Sequence, residues 1–319
     1  MSKMKYCYGV DIGGTSIKMG FFQEDGKLLG KWEIDTKTEN KGRSILPDAA
    51  EAIYSYMKKN DIVSEDILGV GVGIPGPVND EGIVLSTANL GWGYKDVVKE
   101  FEELLHMPVK AGNDANMAAL GEMWRGGGVG HKNMLLITLG TGVGGGIIID
   151  GHAVVGHHGA AGEIGHMTVN QSESIVCGCG RKGCLEQYAS ATGIERLARR
   201  RLEEDTKASA LRSQKVNAKT VFDAVKAGDM LAMEVAEEFA SYLGYAVANI
   251  CVITDPSMVV IGGGVSRAGE ILIEYVERYF KKAVFFANEN THFGLATLGN
   301  DAGIYGCAKL ILGKHPTIK

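Results

Sequence analysis

An α/β fold of two domains is what this chain predicts, on three observations. Apolar runs of strand length alternate with segments of helical spacing from the N-terminus onward. Glycine crowds the ends of those runs, with 45 glycines against 6 prolines, in bursts too short and too apolar in their flanks for a disordered linker. The 319 residues, 45% of them hydrophobic, exceed what one core usually serves, so two are expected.

The elements follow in order. Residues 6–12 and 17–22 read as strands joined by a glycine turn, and 68–74 as a third strand. Helices are predicted near 47–59 and 95–105. A strand around Val109 then meets a helix near 115–124, and the domain crossing is expected there. A second sheet begins with 134–139 and 143–149, helices dominate 187–253, and a strand follows at 258–261. The last helical stretch, 302–312, would pack back on the first domain. The expected division is therefore 1–114 plus 301–319, a small α/β domain, and 115–300, a large α/β domain carrying a cysteine-rich loop.

Charge narrows the partners. Lys and Arg number 33 against 38 Asp and Glu, giving a net charge of -5 and a pI near 5.9. Nucleic acid or an anionic membrane would favour a basic face, so neither is expected. The run Arg199-Arg200-Arg201 is followed by Glu203-Glu204-Asp205 and reads as a solvated helix face. No apolar run approaches the roughly 20 residues of a membrane span, and Met-Ser-Lys-Met-Lys lacks the apolar core of a leader, so a cytoplasmic protein is expected. Six cysteines, three of them clustered, suit a metal and buried thiols (Cys7, Cys251, Cys307) better than a disulfide framework.

Glycine-rich chains generate nucleotide signatures by chance. Gly140-Thr-Gly142-Val-Gly144-Gly145 and Gly71-Val-Gly73-Ile-Pro-Gly76 both satisfy G-x-G-x-x-G. The first runs into Ile147-Ile148-Ile149 and the second into Pro77, where a dinucleotide fold needs a helix. A Walker-type phosphate loop is absent too. Two hairpin turns are more suggestive: Asp11-Ile-Gly13-Gly14-Thr15 and Leu139-Gly140-Thr141-Gly142 each follow a strand and expose backbone N–H groups, a geometry suited to phosphate oxygens. The first also reads as a plain hairpin with Asp11 as its helper; in the chemical reading Asp11 orients Mg2+ through water. Lys18 reads as a surface lysine. A third turn, Gly262-Gly263-Gly264, ends an apolar strand and opens a helix, either as a cap or as bare backbone for an adenosine.

Asn113-Asp114 sits where a strand meets a helix, a common N-cap position. It also adjoins the expected domain crossing, where an aspartate could orient a hydroxyl and accept its proton as a phosphoryl group arrives. His166, Cys177, Cys179 and Cys184 match a tetrahedral Cys3His zinc site, with Gly178, Gly180 and Gly183 permitting the tight loop; the competing reading is a redox or chance cluster. Four protein ligands leave no open position, so such a zinc would be structural, with the second nitrogen of His166 free to orient a hydrogen bond. Glu163 and Glu186, on either side, would accept from neighbouring sugar hydroxyls. His157 and His158 read as solvent-facing, and Trp92 and Trp124 as packing residues.

Asp11-Ile-Gly-Gly-Thr15, Gly73-Ile-Pro-Gly-Pro77, Gly112-Asn-Asp-Ala-Asn116, Leu139-Gly-Thr-Gly142, Gly162-Glu-Ile-Gly-His166 and Cys177-Gly-Cys-Gly-Arg-Lys-Gly-Cys184-Leu-Glu186 occur in order. Together they resemble the ROK family (repressor, open reading frame, kinase) from about residue 5 to 312, and are most like its bacterial glucokinases. The resemblance implies an actin-like, hexokinase-type, ribonuclease H-like fold with a cleft between two domains, and a homodimer or homotetramer. It implies ATP-dependent phosphorylation of glucose at the 6-hydroxyl, giving glucose 6-phosphate and ADP. Asp114 would be the catalytic base; Gly76, Asn113, Glu163, His166 and Glu186 would bind the sugar with it. Gly13 to Thr15, Thr141 and Gly142 would hold phosphates, Gly262 to Gly264 the adenosine, and His166, Cys177, Cys179 and Cys184 the zinc. The same scaffold serves kinases for N-acetylmannosamine, allose, fructose or N-acetylglucosamine. It also serves sugar-responsive transcription regulators, which need a DNA-binding domain ahead of it; only ten residues precede Asp11 here.

Overall fold

The computed structural model describes residues 4–87 and 89–313. Residues 1–3, read above for a leader, and 314–319, assigned above to the first domain, lie outside the described residues. Two compact units emerge: Met1–Gly130 with Gly151–Gly162 and Asn300–Lys319, and His131–Asp150 with Glu163–Gly299.

The first unit is built on a five-stranded sheet. Its strands are β1 (Tyr6–Ile12), β2 (Ser16–Gln23), β3 (Leu28–Asp35), β4 (Ile67–Ile74) and β5 (Val109–Asn113), in the order β3-β2-β1-β4-β5. The first three form an antiparallel meander, and β4 and β5 run parallel to β1. Alternation in β1 decides the two faces. Tyr8, Val10 and Ile12 join a core with α1 (Ile45–Lys59) and α2 (Val97–Leu105), including Ile53 and Phe101. Cys7 faces the other way, toward Ile304 and Ala308 of the C-terminal helix Ala302–Leu312.

That helix lies directly on the sheet because glycine leaves room for it. A β-carbon at Gly9 would overlap the Ile304 carbonyl, and one at Gly71 the Cys307 carbonyl. Glycine was read above as crowding the ends of the apolar runs; Gly9 and Gly71 differ, since both lie inside strands and serve close helix-on-sheet packing. The same device joins α3 (Asp114–Arg125) to the C-terminal helix: a β-carbon at Gly306 would overlap the Met117 carbonyl, and one at Gly121 the Ala302 carbonyl. The expected boundary at 114/115 is corrected accordingly, because α3 belongs to the first unit, as do residues 151–162.

In the second unit β6 (Met134–Leu139) and β7 (Val143–Ile149) form an antiparallel hairpin, and β8 (Met258–Gly262) lies parallel to both β6 and β9 (His292–Leu295). Four helices pack with this sheet: α4 (Ala191–Glu204), α5 (Ala218–Lys226), α6 (Met230–Thr254) and α7 (Glu270–Ala283). The 25-residue α6 is the spine of the core, with Phe239, Leu243 and Val247 at 0% exposure. The stretch 203–217, unassigned from sequence, is tied down by Arg212, which donates to the carbonyls of Leu202, Asp205 and Lys207. Among the described residues no helix is long and apolar enough to cross a membrane.

Candidate functional site

In the first unit the predicted residues gather at the C-terminal ends of parallel β1, β4 and β5, where open α/β sheets present their ligand sites. Asn113 ends β5 and caps α3: its Oδ1 accepts from the N–H groups of Ala115 (2.9 Å) and Asn116 (3.1 Å). Its Nδ2 donates to the Gly76 carbonyl at 3.0 Å. One amide thus fixes both the helix start and the backbone after β4. Gly76 is at φ +95°, and a β-carbon there would lie 3.0 Å from the Ser86 carbonyl oxygen, so a side chain would be strained. Asp114 follows in the first turn of α3, half-buried, with Oδ1 accepting from Ala115 N–H at 2.8 Å.

Asp11 and Lys18 face each other across the β1–β2 hairpin. The Asp11 carboxylate lies over Gly303 and Gly73, where added β-carbons would come within 2.5 and 3.4 Å of its oxygens. Burial pushes its pKa up to about 6, with Lys18 pulling down and Asp114 pushing up. Beneath it Cys307 donates its thiol to the Val10 carbonyl at 3.2 Å; full burial, then the Asp11 and Asp114 charges, raise that thiol far above its usual range, so it is unreactive. Lys18, read as a surface lysine, is half-buried beside Asp11. The signal for it was the register, since the short turn puts positions 11 and 18 opposite each other.

Around the first turn, Gly13 N–H closes on the Ser16 carbonyl at 3.0 Å, and Thr36 Oγ1 donates to the Gly13 carbonyl at 2.7 Å. Gly13 therefore shapes the turn, while Gly14 and Thr15 are its exposed residues. His157 and His158 are exposed, as expected, with ring centroids 4.6 Å apart. In the same loop Gly159 (φ +69°) lies against Val78, whose carbonyl oxygen would be 2.7 Å from a β-carbon there. Trp92 is buried and donates from Nε1 to the Gly42 carbonyl at 3.0 Å, a packing role as expected.

The second unit holds the other predicted residues. At the β6–β7 turn, Gly140 N–H bonds the Gly142 carbonyl at 3.0 Å, Ala191 N–H the Gly140 carbonyl at 2.8 Å, and Thr192 Oγ1 the Thr141 carbonyl at 2.9 Å. Gly263 (φ +82°) crosses the end of β6 so closely that a β-carbon would lie 2.6 Å from Leu139 N, while one at Gly264 would have no neighbour within 4 Å. Bare backbone is thus exposed there. The helix expected to open directly from this turn does not: a 3-10 segment, Gly264–Ala268, intervenes and α7 starts at Glu270.

His166, Cys177, Cys179 and Cys184 converge, their ligand atoms all within 4.8 Å of one another. Cys179 and Cys184 sulfurs are 3.6 Å apart, and Cys177 Sγ is 3.9 Å from His166 Nδ1. A tetrahedron with Zn–S bonds of about 2.3 Å has S···S edges of about 3.8 Å, so the four groups fit zinc. Glu186 adjoins them, accepting from Val143 N–H at 3.1 Å and lying 3.8 Å from Cys177 Sγ. A β-carbon at Gly142 would collide with Glu186 Oε2, which explains the glycine. Glu163 is exposed and precedes the 3-10 turn Ile164–His166. Each unit thus offers carboxylates beside glycine-built backbone donors, a set suited to hydroxyl and phosphate groups.

The sequence pattern that defines the ROK family matches residues 7–314. The chain is 43% identical over 313 residues to the glucokinase of Halalkalibacterium halodurans, covering 96% of this chain and 95% of that one. It is 36% identical to the glucokinase of Thermotoga maritima, over 98% of both chains. Among solved structures, a ROK family glucokinase from Streptomyces griseus in complex with glucose and AMPPNP aligns with a TM-score of 0.73 and 33% identity, covering 97% of this chain and 99% of that one.

Proposed function

This chain belongs to the ROK family, and on that premise we propose that it transfers the γ-phosphoryl group of ATP to the 6-hydroxyl of glucose, giving glucose 6-phosphate and ADP. The observation that carries the reading is the Asn113–Asp114 pair. Its amide locks the β5–α3 junction to the Gly76 carbonyl, and its carboxylate stands half-buried in the first turn of α3, at the same sheet ends as Asp11. Resemblance to glucokinases over nearly the whole chain supports glucose as the acceptor.

In this reading Asp114 orients the 6-hydroxyl and takes its proton as the phosphoryl group arrives; the loose transition state asks for position before basicity. Asn113, Gly76, Glu163, His166 and Glu186 hold the remaining hydroxyls. Gly14, Thr15, Thr141 and Gly142 bind phosphates by backbone N–H groups, with Gly13 shaping the first turn. Of Gly262 to Gly264, read for the adenosine, Gly262 is buried at the end of β8, and the exposed Gly263 and Gly264 offer a surface without side chains. Asp11, whose carboxylate accepts no hydrogen bond from the described residues, is suited to orienting Mg2+ through water. His166, Cys177, Cys179 and Cys184 would hold a zinc whose role is a structural cross-link of the loop leading to Glu186. We further assign the protein to the cytoplasm, where its six free cysteines stay reduced, and to a homodimer or homotetramer.

The test is ADP release from MgATP by zinc-replete protein with glucose, mannose, allose, fructose, N-acetylmannosamine and N-acetylglucosamine in turn. Preference for glucose supports the reading, preference for another hexose moves the substrate, and no turnover with any sugar refutes the kinase assignment.

A further inference from the structure

At the base of the cysteine loop lies a charged network that none of the roles above uses. Glu173 lies in the irregular segment ahead of Cys177, and Arg196 is on α4 beyond the loop. Arg196 Nη1 donates to Glu173 Oε2 at 2.8 Å, and Tyr188 OH donates to the same oxygen at 2.6 Å. Asn170 Nδ2 donates to the Tyr188 oxygen at 2.8 Å, and the Arg196 guanidinium lies 4.9 Å over the Tyr188 ring. The Glu173 and Arg196 side chains are only 10% and 30% exposed. Burial pushes the Glu173 carboxyl up, yet hydrogen bonds from Tyr188, the Ile175 backbone and Arg196 hold it at about 2, so it stays charged at working pH.

The second arm of the fork matters most. Arg196 Nη2 donates to the Gln187 carbonyl at 2.9 Å. Gln187 in turn closes the loop, accepting from Cys184 N–H at 3.1 Å and donating to the Ile175 carbonyl at 3.0 Å. Glu186 immediately precedes that pinned residue, at the start of the one-turn helix Glu186–Ala189. A partly buried ion pair adds little net stability over an apolar replacement, whereas a guanidinium held on two acceptors at once fixes one geometry.

We infer that Glu173 and Arg196 are positioning residues: Glu173 anchors the Arg196 fork, the fork fixes the Gln187 carbonyl, and the turn so held presents Glu186 to the sugar. The inference rests on the proposed sugar phosphorylation for the identity of the ligand. The network adds no ligand to the metal site, although Gln187 accepts from the N–H of Cys184, so zinc content is read alongside the glucose KM.

Arg196→Lys tests this in zinc-loaded protein, because it keeps a cation opposite Glu173 and removes the second arm. Expected is a rise of about tenfold in KM for glucose, with KM for ATP, zinc per chain and melting temperature little changed. Hydrogen exchange should quicken across residues 184–190 and stay as it was in the first unit. Glu173→Gln, which keeps an oxygen acceptor, should shift the glucose KM in the same direction by less. A glucose KM unchanged in both variants overturns the inference, and so does loss of zinc in step with activity, since the pair would then serve the metal loop. If the parent protein phosphorylates no hexose, the functional reading has failed by itself, and exchange across 184–190 alone decides whether the network holds that turn.

Discussion

Replacing Asp11 with Asn should make the first unit more stable at neutral pH while slowing phosphoryl transfer. The amide matches the carboxylate in shape, so packing over Gly73 and Gly303 is retained. What changes is charge: burial, opposed by Lys18 and reinforced by Asp114, raises the carboxyl from 3.8 to about 6. Below 3.8 the group is neutral in folded and unfolded chains alike. As pH rises the unfolded chain loses its proton first, so stability falls between about pH 4 and 6 and stays at the lower level above that. At 1.36 kcal/mol per tenfold change the full span is about 3 kcal/mol, and residual solvent contact reduces it to the order of 2 kcal/mol. The three tryptophans, Trp32, Trp92 and Trp124, all lie in the first unit, so their fluorescence in urea reports on it. Measured without nucleotide or Mg2+, Asp11→Asn should exceed the parent by about 2 kcal/mol at pH 7.5, and the gap should close near pH 4. A gap that does not vary with pH, or a variant weaker at pH 7.5, would refute the argument.

Cys179→Ser should lower zinc affinity by orders of magnitude, read by chelator competition; full retention removes Cys179 from the ligand set. Zinc added to metal-free parent should acidify a weakly buffered solution, because burial and the neighbouring thiols hold Cys184 protonated, with its pKa pushed up to about 12. No proton release would contradict thiolate ligation. Gly306→Ala would drive a β-carbon into the Met117 carbonyl and should cost roughly 3 kcal/mol in the first unit by tryptophan-monitored unfolding. Unfolding midpoints that coincide would show that α3 and the C-terminal helix do not depend on that contact.

Local chemistry was legible because it is contiguous. The four groups that could hold zinc fall within residues 166–184, and the spacing of the glycines among them already suggested a wrapped loop. Asn113 and Asp114 stood out because a polar pair between an apolar strand and a helix has few purposes. β3 was missed although Leu28, Trp32 and Ile34 alternate with more exposed neighbours, because Lys31, Glu33 and Asp35 mask the apolar signal of an edge strand. The placement of α3 with the first unit could not be read either, since Gly121 and Gly306 reveal their purpose only when the two helices meet. Arg196 and Glu173 are 23 positions apart, and nothing in their spacing marks an ion pair.

The most direct test of the central claim is 31P NMR of the products formed from MgATP and glucose by the parent and by Asp114→Asn. The account predicts glucose 6-phosphate from the parent, and from the variant the same product formed at least about a hundredfold more slowly with ATP affinity retained. Phosphate on another hydroxyl, or near-parental turnover by Asp114→Asn, would contradict the assignment of Asp114 as the group that takes the proton.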